Sequence, residues 1–427
     1  MTIFSDFSIS FYRIILFLAS LFASLSLLVA CTENQANEVT TKPIIRKPYL
    51  LNQHSDTLGT GKIDTLIEDF MKTWQLKGVS VAICKDEKLV YAKGFGYADA
   101  ETAEKTTPHH LFRVASVSKL ITAVAIMKLV EEGKLSLSEK VFGEEGILNE
   151  YKQIKDKRAL GIEVQHLLTH TSGWKNKFRT DPMFIPLEIS EAMKTKPPIN
   201  LDLITQFMLS QKMLAEAGTV FDYSNFGYCL LGRIIERKTG IDYESYLKGN
   251  IFNFLGIREI QLSKNYKKNK QPLEVSYYEH QGVKSRPAFD GTQEQISRPY
   301  GIDIETLAAA GGWAATSRDL LKLLNVIDGF PQRKDFLSAQ TIGLMTKQDS
   351  LRTIGWRTCK EDIWLRTGSL VGTQAVLARQ KDGTNWIFVT NTSSWRAHRF
   401  SYDITLLMKK ALSKKISWKK EDLFDYQ

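Results

Sequence analysis

Cysteine, glycine and proline are all scarce in this chain, whose 427 residues hold 4 Cys, 27 Gly and 11 Pro. So few cysteines, widely spaced, exclude a disulfide scaffold and a cysteine-based zinc module. Sparse Gly and Pro exclude collagen-like and low-complexity chains. A composition of 43% hydrophobic and 24% charged residues excludes disorder of the whole. No internal repeat is present, and the length allows one large domain or two intimate ones.

Charge is not lacking. The net charge is +10 and the pI about 9.1. Lys and Arg are nevertheless spread along the chain, densest at 266–270 and 409–420, and no nucleic-acid motif accompanies them. A nucleic-acid partner is therefore not expected, whereas an anionic cell-envelope surface would benefit from the charge. One apolar run, 14–29, follows Arg13 and ends in Leu28-Val29-Ala30-Cys31. It is short for a spanning helix and suits a signal peptide. Its end resembles the lipobox of bacterial lipoproteins, which implies cleavage before Cys31 and a membrane anchor through lipid on that residue. The expected location is the cell envelope.

The chain is expected to divide into a signal peptide (1–30), a polar tether (31–62), a folded domain (63–412) and a basic tail (413–427). Within the domain a helix is expected over 63–74, then a hairpin turning at 85–88 and ended by Gly94 and Gly96. Residues 116–132 are apolar nearly all round, which marks a buried helix, with Gly133 as its stop. Helical patterns dominate 111–349. Strand patterns return at 373–379 and 385–390 around Lys381-Asp382-Gly383, and a helix over 400–412 closes the domain. Strands at both ends with helices between predict an α+β fold. One antiparallel sheet would be built from 63–110 and 350–412, around a large, mainly helical insertion.

The chemistry centres on Ser-x-x-Lys. At i and i+3 the two side chains share a helix face. A serine hydroxyl needs a base, and a buried lysine has its pKa lowered by desolvation. The pattern occurs at Ser116, Ser172, Ser245 and Ser417. Ser172 lies in a turn, Ser245 on an amphipathic helix and Ser417 in the basic tail. Only Ser116 opens an apolar helix, where Lys119 would otherwise be a costly burial. His166 and His170 have a spacing that could clamp a metal, but no third ligand is near and a structural role is expected. The tryptophans are expected in the core, with Trp313 and Trp356 also considered as cleft walls.

The segment Phe112-Arg113-Val114-Ala115-Ser116-Val117-Ser118-Lys119 resembles the active-site segment of the serine β-lactamase and penicillin-binding-protein superfamily. The nearest branch is the class C-like one, with its DD-peptidases and esterases. Four stretches continue the resemblance in order: Gly94 to Asp99, His166 to Gly173, Tyr223-Ser224-Asn225, and Ala309-Ala310-Gly311-Gly312-Trp313. The resemblance implies a β-lactamase-like fold and an acyl-enzyme on Ser116. It implies Lys119 or Tyr223 as base and Asn225 on the substrate amide. Lys238-Thr239-Gly240 is a helix end. The third motif falls instead on Arg366-Thr367-Gly368-Ser369, with Arg where the family has Lys or His. By the resemblance these four residues bind substrate, Arg366 through a carboxylate, and the N–H groups of Ser116 and Ser369 form the oxyanion hole. A monomer acting on a small-molecule or peptide substrate, with no metal and no cofactor, is expected. The alternative is a penicillin-binding sensor or lapsed binding module.

Overall fold

The computed structural model describes residues 48–174, 181–283, 286–292, 295–347 and 353–426. Cys31, the apolar run before it and the first part of the expected tether lie outside the described residues. Among those described, no helix is long and apolar enough to cross a membrane.

Seven strands form the main sheet. In chain order they are β1 (Gly78–Lys85), β2 (Lys88–Asp99), β3 (Glu104–Lys105), β4 (Thr358–Cys359), β5 (Ile363–Leu370), β6 (Thr373–Gln380) and β7 (Thr384–Thr390). Their spatial order is β3-β2-β1-β7-β6-β5-β4. The two chain ends are joined by antiparallel β1 and β7, with Val79 opposite Thr390 and Lys85 opposite Thr384. This is the expected α+β architecture, with one antiparallel sheet assembled from both ends of the domain.

One sheet face is covered by helices α1 (Thr60–Trp74) and α4 (Phe400–Leu412). Ile63, Ile67 and Met71 recur on one side of α1. They pack with Phe400, Ile404 and Met408 of α4 against Val81, Trp386 and Phe388. The other face carries the helical part, centred on α2 (Ser118–Glu131) and α3 (Asn225–Thr239). Helix α2 is buried from Ser118 to Met127, which explains its apolar circumference.

Several expectations are corrected. Gly94 and Gly96 do not end the hairpin, because β2 runs on to Asp99. They mark close backbone approach instead: a Cβ on Gly94 would meet the Thr106 carbonyl oxygen at 2.6 Å, and one on Gly96 the Lys77 oxygen at 2.2 Å. The expected tether gives way to packed chain before residue 62. Leu50 is buried in the core, and Asn52 donates to the Gly94 carbonyl at 2.8 Å. Nor is 413–426 a loose tail: Leu423 is buried, Phe424 and Tyr426 pack against the same core, and Asp422 accepts the Leu89 N–H at 3.0 Å. Trp313 lies in the core, away from the cleft. Its Nε1 donates to Tyr243 Oη at 3.0 Å and its ring meets Phe252 edge-on.

Candidate active site

Ser116 sits in the single 3-10 turn Ala115–Val117 that leads into α2. Two devices fix that turn. Upstream, Arg113 is buried over the Tyr277 ring and donates to the carbonyls of Pro299 at 2.7 Å and Lys264 at 2.9 Å. Ala115 itself adopts φ 46°, a left-handed conformation unusual for a residue with a Cβ. Such backbone strain costs on the order of 1 kcal/mol and has to be held by its surroundings. Gly368 of β5 supplies the close fit. A Cβ there would meet the Val114 oxygen at 2.2 Å, Ala115 Cβ at 3.1 Å and the Ser116 nitrogen at 3.1 Å.

Three side chains converge on Ser116. Lys119 Nζ stands 3.3 Å from Ser116 Oγ and Tyr223 Oη 2.9 Å from it. Arg366 donates from Nε to the Ser116 carbonyl at 2.6 Å and from a terminal nitrogen to Tyr223 Oη at 3.2 Å. The Lys119 amine also donates to Asn225 Oδ1 and to the Ala310 carbonyl, each at 2.7 Å. Its three hydrogens thus have three acceptors, the arrangement of an ammonium. Burial and the nearby Arg366 lower its pKa, against the pull of Tyr223.

Tyr223 is the more strongly tuned group. Burial alone would raise its pKa, yet the charges of Lys119 and Arg366 and the hydrogen bond with Ser116 bring it down to about 7. A phenol in this setting is half phenolate near neutrality, so it can take a proton from Ser116 Oγ. His170 packs on its ring, with centroids 4.4 Å apart, and accepts the Ser224 N–H at Nδ1, 3.1 Å away. Burial, then Lys119 and Arg366, hold this histidine well below its ordinary pKa. It is therefore a neutral wedge behind Tyr223. His166 accepts the Glu163 N–H at 3.1 Å and helps start its own short helix.

The edge of β5 supplies the remaining parts. The Leu365 carbonyl accepts the Arg357 N–H at 2.9 Å, so Leu365 points its backbone groups away from β6. The period of two puts the Thr367 and Ser369 amides on that same edge. Strand β4 covers only Trp364 and Leu365, which leaves the Ser369 N–H on the open part, next to the Ser116 turn. Fixed donors here would meet a developing oxyanion.

Arg366 and Asn225 are both engaged within the site. Arg366 is 2% exposed, with its guanidinium donating to the Ser116 carbonyl and to Tyr223 Oη. Asn225 turns its oxygen to Lys119 and serves the amine first. Asp181 and Ala310 were not singled out from sequence. Asp181 accepts the backbone N–H groups of Asn225 and Met183. Ala310 lies in the Ala309-Ala310-Gly311-Gly312-Trp313 stretch and enters the site through its carbonyl. Of the other Ser-x-x-Lys sequences, Ser172 is buried and its Lys175 lies outside the described residues. Ser245 is exposed, with Lys248 paired to Glu244 at 2.6 Å, and Ser417 is exposed. Lys238-Thr239-Gly240 ends α3, with Gly240 at φ 70°.

A fold of helices on an antiparallel sheet, with this Ser-Lys-Tyr cluster at its edge, defines the class, and the family follows from direct comparison. Residues 63–395 match the Beta-lactamase family model, and the chain belongs to that family. Protein flp of Staphylococcus aureus (strain MRSA252) is 30% identical over 233 residues, 54% of this chain and 44% of that protein. The chain thus spans less than half the length of such curated relatives. The octameric penicillin-binding protein homologue from Pyrococcus abyssi has a TM-score of 0.61 at 26% identity, covering 82% of this chain and 77% of that one. D-amino acid amidase from Ochrobactrum anthropi SV3, complexed with D-phenylalanine, shares the fold at a TM-score of 0.65 and 22% identity. It covers 83% of this chain and 98% of its own.

Proposed function

We propose that this chain is a serine hydrolase that works through an acyl-enzyme on Ser116 and acts on an amide, ester or lactam carbonyl. The observation that carries the reading is the meeting of Tyr223 Oη and Lys119 Nζ on Ser116 Oγ, with Arg366 on the phenol. Tyr223 as phenolate accepts the Ser116 proton, and Oγ adds to the carbonyl carbon. The Ser116 and Ser369 N–H groups receive the oxyanion, a contribution of roughly 3 kcal/mol per good donor. The bond to the leaving nitrogen or oxygen then breaks, and Tyr223 returns the proton to it. Water adds to the ester on Ser116 by the same route, releasing the acid and the free hydroxyl. Lys119 stays an ammonium throughout and holds Tyr223 in its low-pKa state.

The sequence at Leu28-Val29-Ala30-Cys31 supports export and lipid attachment at Cys31, which would hold the domain at the cell envelope. Replacing Cys31 with Ser should then abolish incorporation of labelled palmitate in cells. Intact-mass measurement after adding p-nitrophenyl acetate or benzylpenicillin tests the chemistry. A transient adduct supports the hydrolase. A permanent one makes the chain a penicillin-binding sensor, and no adduct with either reagent overturns the reading.

A further inference from the structure

The cleft beside Ser116 has a volume of about 850 Å³. Among the described residues, Arg357, Lys360, Arg366, Arg396 and Arg399 line it, and no Asp or Glu does. The whole chain has 57 basic and 47 acidic residues, so a wall this one-sided is not the background composition. Two of the five cations are already engaged. Arg366 holds Ser116 and Tyr223, and Arg396 pairs with Asp403 at 3.2 Å.

The other three stand exposed, without an ion pair to any described residue. Arg357 and Lys360 flank the short edge strand β4, and Arg399 directly precedes α4. Three like charges brought to one concave site repel one another, and low-dielectric walls concentrate their field. That field reaches the site, because Arg357 is among the charges that keep His170 neutral.

Resting on the hydrolase reading above, we propose that the cleft selects substrates carrying at least two anionic groups beyond the reacting carbonyl. Arg357, Lys360 and Arg399 hold those groups while Arg366 stays with the nucleophile. Carboxylates and phosphates share the required chemistry, and paired probes separate them.

The probes are phenyl acetate, 4-acetoxybenzoate, 5-acetoxyisophthalate and 4-acetoxyphenyl phosphate. Each kcat/KM is divided by the ester's own hydroxide-catalysed rate, which removes leaving-group electronics. The dianionic esters should exceed phenyl acetate about tenfold or more at low salt, and the advantage should shrink at about 0.5 M salt. The larger ratio of the two, isophthalate or phosphate, assigns the source. In the double variant Lys360→Ala, Arg399→Ala the ratio of anionic to neutral ester should fall at least about fivefold. Ratios below about twofold for every anionic ester, or a ratio unchanged in the double variant, overturn the proposal while leaving the hydrolase reading standing. Absence of any Ser116-dependent turnover, judged against Ser116→Ala, overturns both.

Discussion

Arg366 is the sharpest place to perturb the site, because it donates to Tyr223, the base in the proposed mechanism. In Arg366→Gln the side chain can still donate a hydrogen bond, but the charge 3.2 Å from Tyr223 Oη is gone. Coulomb's law at an effective dielectric of about 20 puts that interaction at roughly 5 kcal/mol. Relaxation and Lys119 offset part of it. Half, roughly 2.5 kcal/mol, is about two pKa units. Tyr223 would then move from about 7 to ~9. The sign follows from the base form: a raised pKa means less phenolate at neutral pH, and it returns only as the pH rises. At pH 7 the phenolate fraction falls from about a half to ~1%, a loss of about fifty-fold in kcat/KM. The assay is the pH profile of p-nitrophenyl acetate hydrolysis from about pH 6 to 10, with Ser116→Ala subtracted as background. The variant should recover most of its activity at the alkaline end, and Arg366→Lys should keep a profile close to the parent. A loss equal at every pH, or a profile that does not move, would refute Tyr223 as the titrating base.

Other consequences are open to measurement. Gly368→Ala must displace the Val114 carbonyl or the Ser116 amide, so it should cut kcat/KM at least about tenfold and cost roughly 1–3 kcal/mol in urea unfolding. Lys119→Ala leaves the Ala310 carbonyl and Asn225 Oδ1 without their donor. It should abolish turnover and cost about 1–3 kcal/mol of stability, and a variant as stable as the parent would contradict the ammonium assignment. Leu423→Ala should cost about 2–3 kcal/mol, since the side chain is in the core, whereas a loose tail would leave the unfolding midpoint where it is. Glu87 is buried, and burial, then Asp328, raises its pKa to about 7 against the Arg333 charge 3.9 Å away. Its folded pKa lies above the unfolded value, so stability falls as pH rises through that interval. Glu87→Gln should therefore raise Tm at pH 8 and have little effect at pH 5, and a Tm unchanged at pH 8 would refute this.

Much of the site was legible because it is local. Ser116 and Lys119 sit one turn apart on a helix whose apolar surround makes a lysine conspicuous, and Tyr223 precedes a helix the spacing already marks. The sheet was legible for a similar reason, since the alternating apolar run at 79–83 and the apolar run at 386–389 both read as strands, near opposite ends of the domain. What escaped depends on contacts between distant segments. Nothing at position 366 says that the side chain is committed to the Ser116 carbonyl and Tyr223 Oη; that follows from the register of β5, set by the Arg357 and Leu365 backbone pair. Asp181 serves Asn225 from 44 residues away, and no periodicity connects them. The C-terminal segment was misread because its lysines outweigh Leu423, Phe424 and Tyr426 in composition, while burial depends on spacing and not on average charge. The helix start at Thr60 rather than 63 reflects Gly59, whose φ of 102° lets the chain enter one turn early.

The central claim is that Ser116, alone among four Ser-x-x-Lys sequences, carries the acyl group. Peptide mapping by mass spectrometry after rapid acid quench of the protein with p-nitrophenyl acetate tests it directly. The account predicts a single acetyl adduct on the peptide containing Ser116, absent in Ser116→Ala. An adduct that persists in that variant, or that maps to Ser172, Ser245 or Ser417, would contradict it.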